Sequence, residues 1–224
     1  MELEKKFKNK LNFVLQEEEF NIEEDEAGFL FKKKYKLGEK VIFFETSKKT
    51  KISFRVRISL WMTNQPVQNI HSLVNEKIGR SPVLSFPMSF LSKRLNKEEA
   101  NFERSKFNGT LGSIVSEESL SQYIINLKSC LSTLILPFFA EFSDQESFNK
   151  WLNEPIISGG YNYEIEPVWK DAVNSLIISK LVCSSDFDKL YNKWIDQELP
   201  KGPNFDTREE LIRLKEILST DQLA

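Results

Sequence analysis

The sequence predicts an α+β protein: an antiparallel β-sheet of about four to five strands, helices packed on one of its faces, and an all-helical C-terminal segment. Three observations carry this expectation. Ile52, Phe54, Val56, Ile58, Leu60 and Met62 alternate with Ser53, Arg55, Arg57, Ser59 and Trp61. A strand sends successive side chains to opposite faces, so a sustained period of two means one buried face and one wet face. That one-sided burial belongs to an antiparallel sheet covered on a single side. From Ser116 onward apolar residues recur instead at three- and four-residue spacing, the period of amphipathic helices. Finally, the 224 residues include 18 Phe but only 8 Gly and 8 Pro, a composition that favours compact packing. The reading divides the chain into an α+β core over 1–152 and a helical extension over 153–224, the two packed as one unit.

Taken in order, Leu3, Phe7, Leu11, Val14 and Leu15 predict a first helix ending near Phe20. The acids at 17–19 and 23–26 read as a connector. Phe29, Phe31 and Tyr35, then Ile42 and Phe44, predict a hairpin over 28–37 and 40–47 with its turn at Gly38-Glu39. The alternating strand 51–63 extends it into a meander. Pro66 then opens a helix with Val67, Ile70, Val74 and Ile78 inside, closed by Gly79. The segment 83–90, broken by Pro87, reads as an edge strand or irregular chain. Asn108-Gly109 suits a tight hairpin between 101–107 and 110–115.

Ser116 can cap a long helix bearing Leu120, Tyr123, Ile124, Leu127, Leu131, Leu134 and Ile135, which Pro137 kinks or ends. Ser143 and Glu146 form a capping box for a helix reaching Leu152. Pro167 starts a helix with Trp169, Val173, Leu176, Ile177 and Leu181, and Ser185 caps its successor with Phe187, Leu190, Trp194 and Ile195. These two predict an antiparallel helical hairpin. Asp206 and Glu209 begin a terminal helix bearing Leu211, Leu214, Ile217 and Leu218.

Charge and residue usage exclude several function classes. The formal charge is −2, with a pI near 5.7 and no continuous Lys/Arg stripe, so nucleic acid is not an expected partner. The charge is nevertheless uneven. Residues 51–100 carry 8 Lys/Arg against 3 Asp/Glu, whereas 151–224 carry 8 against 13. Such asymmetry can steer association. The N-terminus lacks the apolar segment of a signal peptide, and no run reaches the roughly 18 apolar residues of a membrane span. Cys130 and Cys183 both sit in apolar helical patterns and read as buried, reduced residues of a cytoplasmic protein; their spacing leaves a disulfide open without arguing for it.

The lone histidine, His71, reads as a helix-surface or boundary residue rather than a general base. One His and two isolated Cys cannot build a zinc site. Ser158-Gly159-Gly160 lacks the pattern of a phosphate-binding loop, and the acidic runs lack the ligand spacing of an ion-binding loop. No catalytic residue, metal or cofactor is therefore expected. The pattern that does point to recognition is Arg55, Arg57 and Trp61, all on the side of one strand opposite its apolar stripe, the two arginines about 7 Å apart. Guanidinium groups beside an indole suit an acidic protein surface. The structural alternative pairs the arginines with Glu39 or Glu45 and covers Trp61 with a helix.

The junction Leu136-Pro137-Phe138-Phe139-Ala140-Glu141-Phe142-Ser143 resembles the Pro-Phe-Phe, then Phe-Ser, helix junction of the bacterial DUF-4304 family, whose function is unknown. The order of elements is similar over roughly 1–152. That family has no established catalytic residues. Some of its relatives resemble immunity proteins of toxin systems, which implies a protein-binding role by association. The expected function is thus a non-enzymatic cytoplasmic protein-binding module, of toxin-immunity type, acting by steric and electrostatic blocking through Arg55, Arg57 and Trp61. The alternative is a small-molecule or carbohydrate-binding protein, or an enzyme, with an aromatic-lined cleft between the sheet and the C-terminal helices. A homodimer through the open sheet face is a third arrangement.

Overall fold

The structure is a computed structural model that describes residues 2–48, 50, 53–74, 82–87, 111–159, 169–196 and 208–219. Its elements run α1 (Glu2–Gln16), β1 (Asn21–Asp25), β2 (Gly28–Tyr35), β3 (Gly38–Lys48), β4 (Phe54–Met62), α2 (Gln65–Val74), β5 (Leu84–Pro87) and β6 (Leu111–Ile114). There follow α3 (Glu117–Ala140), α4 (Gln145–Ile157), α5 (Trp169–Leu181), α6 (Phe187–Ile195) and α7 (Arg208–Ser219). This is an α+β fold with a helical C-terminal part. Two compact units result: 1–62 with 84–141, and 63–83 with 142–224. They interleave along the chain, so α2 belongs with the C-terminal helices, an exchange that a linear boundary at 152 does not express.

The sheet unit has the strand order β1-β2-β3-β4-β5, every pair antiparallel, and β6 shares with β5 the far edge of β4. The predicted alternation of β4 appears as buried residues at 54, 56, 58, 60 and 62 with more exposed ones between. The acidic connector is in part a strand: Asn21–Asp25 pairs with β2, its acids facing solvent along the sheet edge. Charged edges of this kind resist strand addition. The hairpin turn is Lys36-Leu37, two residues before the expected Gly38-Glu39. Opposing Phe31 to Ile42 and Phe29 to Phe44 puts these rings on one face and fixes that register. Gly28 is needed where it stands, since a Cβ there would lie 2.0 Å from the Phe44 carbonyl oxygen.

One face of the sheet forms the core of this unit. Phe7 of α1 is fully buried among the rings of Phe29, Phe44, Phe54 and, from α3, Tyr123, at centroid distances of 5.4 to 6.3 Å. Burying rings edge-to-face adds directional energy to the large apolar area removed from water. α1 ends at Gln16 rather than near Phe20. Glu19 takes a left-handed φ of 63° and the Phe20 N–H donates to the Leu15 carbonyl at 2.9 Å, a terminating motif usually built on glycine. Phe20 then folds back into the core against Phe139.

α3 begins as predicted, with Ser116 and Ser119 in a reciprocal capping box. Pro137 does not end it. The helix loosens into a π-turn over Leu131–Ile135 and resumes over Leu136–Ala140, which accommodates the missing proline N–H. The resulting 24-residue helix has a mean hydropathy of 1.4 in its most apolar window, half of it buried in the fold. By length and composition alone it could cross a membrane, contrary to the expectation that no run is long enough.

The helical unit is organised around α5. Residues 172–179 are all buried, and α2, α4, α6 and α7 each contact this helix. A helix buried all round carries no polar face, and Ala172–Ser179 contains no charged residue. Ser175 is bonded through neighbouring helices: the Asn153 amide donates to the Ser175 carbonyl at 3.0 Å, the Ser175 hydroxyl donates to Asn153 Oδ1, and Trp194 Nε1 donates to Ser175 Oγ at 3.0 Å. The Asn174 amide donates to the Val83 carbonyl at 3.1 Å, while Asn174 Oδ1 and Ser179 Oγ are buried without a hydrogen-bond partner among the described residues. α4 is capped by Asp144 with Ser147, one residue later than the predicted Ser143–Glu146 box, and runs through Pro155 to Ile157. Ser185 does not cap α6, whose N-cap position is Asp186. His71 is buried at 2 % exposure, not superficial. Cys183 is exposed at the left-handed end of α5 (φ 52°), whereas Cys130 is buried; both are free thiols. Ile78, Gly79, the 101–110 hairpin arm and Asp206 lie outside the described residues.

Candidate functional site

The candidate site is the sheet face opposite Phe7. Register decides which side chains share it. Leu30 stands opposite Phe43, Val41 opposite Trp61, and Phe43 opposite Ser59, so Leu30, Val41, Phe43 and Trp61 form one contiguous apolar group across β2, β3 and β4. Leu30 and Val41 are 8 % and 3 % exposed, while Phe43 and Trp61 are half-buried with ring centroids 5.1 Å apart. The face predicted as simply wet therefore has an apolar centre. Trp61 is paired with an aromatic ring of the same sheet, which leaves part of its indole accessible.

The charged residues of this face surround that centre. Arg57 stands opposite Glu45 with a guanidinium–carboxylate distance of 3.8 Å, so the predicted Glu45 partner is found there. Both side chains are well exposed, and an ion pair of this length in water contributes well under 1 kcal/mol, on the order of a few tenths. Arg55 lies between Ser47 of β3 and Ser113 of β6 and has no carboxylate partner among the described residues. On β2, Lys32 pairs with Glu23 across β1, and the exposed Lys34 stands opposite Glu39. All three predicted site residues are thus on one face, but not in one cluster: Trp61 belongs to the apolar centre, and the arginines to its rim.

Sequence reasoning missed Leu30, Val41 and Phe43. The signal was present in the unbroken runs Phe29-Leu30-Phe31 and Val41-Ile42-Phe43-Phe44, because a strand that is apolar at consecutive positions presents apolar groups to both faces.

Beyond this face, a shallow depression of about 390 Å³ lies along β1 and β2, lined by Glu19, Ile22, Glu23, Lys32, Lys33 and Lys34, among others. Its charges are mutually engaged: Lys33 lies 2.9 Å from Glu19, holding that carboxyl below its ordinary value, and also donates to the Glu18 carbonyl. On the core side, Lys40 donates to the Phe139 carbonyl near the end of α3 and lies over the Tyr35 ring at 5.0 Å. Burial, and secondarily Lys33, lowers its pKa. Among the described residues no three His, Cys, Asp or Glu side chains gather to hold a metal ion.

No family model matches the chain, and neither does any curated protein or solved structure.

Proposed function

We propose that this protein is a non-enzymatic binding module that recognises another protein through the outer face of β2, β3 and β4. The observation that carries the reading is the partly exposed Phe43–Trp61 pair with Arg55 and Arg57 beside it. Trp, Phe and Arg are the residue types enriched at the centres of protein interfaces, where an apolar anchor excludes water and arginine supplies directed hydrogen bonds. The DUF-4304 resemblance of residues 136–143 agrees with a cytoplasmic inhibitor of toxin-immunity type that blocks its partner sterically and electrostatically. The small-molecule alternative gains less support, because the depression along β1 and β2 is open and its Lys32 and Lys33 are already paired with Glu23 and Glu19.

The test is capture of a stoichiometric partner from native lysate by tagged protein, repeated with Trp61→Ala and with Arg55→Ala/Arg57→Ala. The reading expects one partner, lost with either variant, while thermal unfolding of the arginine variant stays close to wild type. Capture that survives both variants would remove this face from consideration.

A further inference from the structure

We infer that the segment recognised by this face is acidic and extended, with Arg55 rather than Arg57 as its anchoring cation. The inference rests on the binding reading above and specifies the chemistry of the partner. Both arginines project from β4 on the same side, yet their surroundings differ. Arg57 has Glu45 at 3.8 Å, directly across the ladder. Arg55 has only serines opposite it, Ser47 and Ser113, and no ion pair among the described residues. A carboxylate arriving at Arg57 must compete with Glu45 and suffers its repulsion. One arriving at Arg55 meets a guanidinium with no ion pair among the described residues, which can bind it bidentately.

The strand itself sets the spacing. Arg55 and Trp61 are six positions apart on β4, which at strand rise is about 20 Å. The Phe43–Trp61 pair then accepts an apolar side chain at one end of this track, and Arg55 accepts a carboxylate at the other. Ser59 and Ser47 between and beside them offer hydroxyls, and the one carboxylate described alongside this track, Glu45, is paired with Arg57. The geometry fits about six residues of extended polypeptide, apolar at one end and acidic at the other.

The probe is a fluorescein-labelled octapeptide, Phe-Ser-Thr-Ser-Thr-Ser-Glu-Glu, compared by anisotropy with the same peptide ending in Lys-Lys. Wild-type protein should prefer the acidic peptide, and added salt should weaken that preference. Arg55→Ala should weaken binding about 5-fold and Arg57→Ala about 2-fold or less, as expected of exposed charge pairs of unequal compensation. Glu45→Gln should tighten binding about 2-fold by releasing Arg57. No binding of the acidic peptide, equal binding of the basic one, or equal effects of the two arginine variants would overturn the inference. Trp61→Ala separates the two readings. If it abolishes peptide binding while Arg55→Ala does not, the face is a docking site and only the acidic assignment fails. If neither variant changes binding, both readings fail.

Discussion

The two faces of one sheet carry similar residue types to opposite ends. On the inner face Phe29, Phe44, Phe54 and Tyr123 meet Phe7 while Phe31 packs on Phe44, and nearly all are withdrawn from water. On the outer face Leu30, Val41, Phe43 and Trp61 form a smaller apolar group inside a charged rim, with its two largest rings left partly exposed. Large apolar area fully buried within the chain stabilises the fold, whereas large apolar area left accessible is available to a partner. The difference is therefore one between stability and recognition, and substitutions on the two faces should separate them.

The largest effect belongs to the inner face. Phe7→Ala should cost about 3–5 kcal/mol in chemical denaturation, because it opens a cavity among four rings. A cost near that of an outer-face substitution would break the comparison. Val41→Ala, at the covered centre of the outer face, should cost about 1–2 kcal/mol for its lost buried methyl groups. Arg55→Ala should lie within about 0.5 kcal/mol of wild type, since the side chain is exposed and has no described ion pair to lose.

Lys40 gives a subtler test, because it is a cation on the core face. Its folded pKa lies below the ordinary 10.5, so the folded state releases a proton more readily than the unfolded chain. Stability measured against Lys40→Met should therefore rise with pH in the window below 10.5, as the penalty on the charged amine is relieved. An unchanged difference across that window would mean that Lys40 is as well solvated folded as unfolded.

Much of the fold was legible in the sequence because its signals were periodic. The alternation at 52–62 specified β4, and the Ser116 cap placed the start of α3. What escaped depended on partners distant in sequence. The turn at Lys36-Leu37 follows from pairing rings across two strands, not from the glycine at 38. Glu19 and Cys183 end helices in left-handed conformations that glycine usually supplies, so neither announced a terminus. His71 looked superficial beside Ile70, yet it faces the interior of the helical unit. The site was half legible: strand parity put Arg55, Arg57 and Trp61 on one face, but only the register brought Leu30, Val41 and Phe43 beside Trp61 and set Glu45 against Arg57 alone.

The sheet unit offers a partner a second exposed apolar surface, on its helical side, where Phe13 and Ile125 are 64 % and 62 % exposed. The most direct measurement is hydroxyl-radical footprinting of the protein alone and in its captured complex, read at Phe43, Trp61 and Phe13. The account predicts that oxidation of Phe43 and Trp61 falls in the complex while that of Phe13 is unchanged. Protection of Phe13 with undiminished oxidation of Trp61 would contradict it and move the binding surface to the helices.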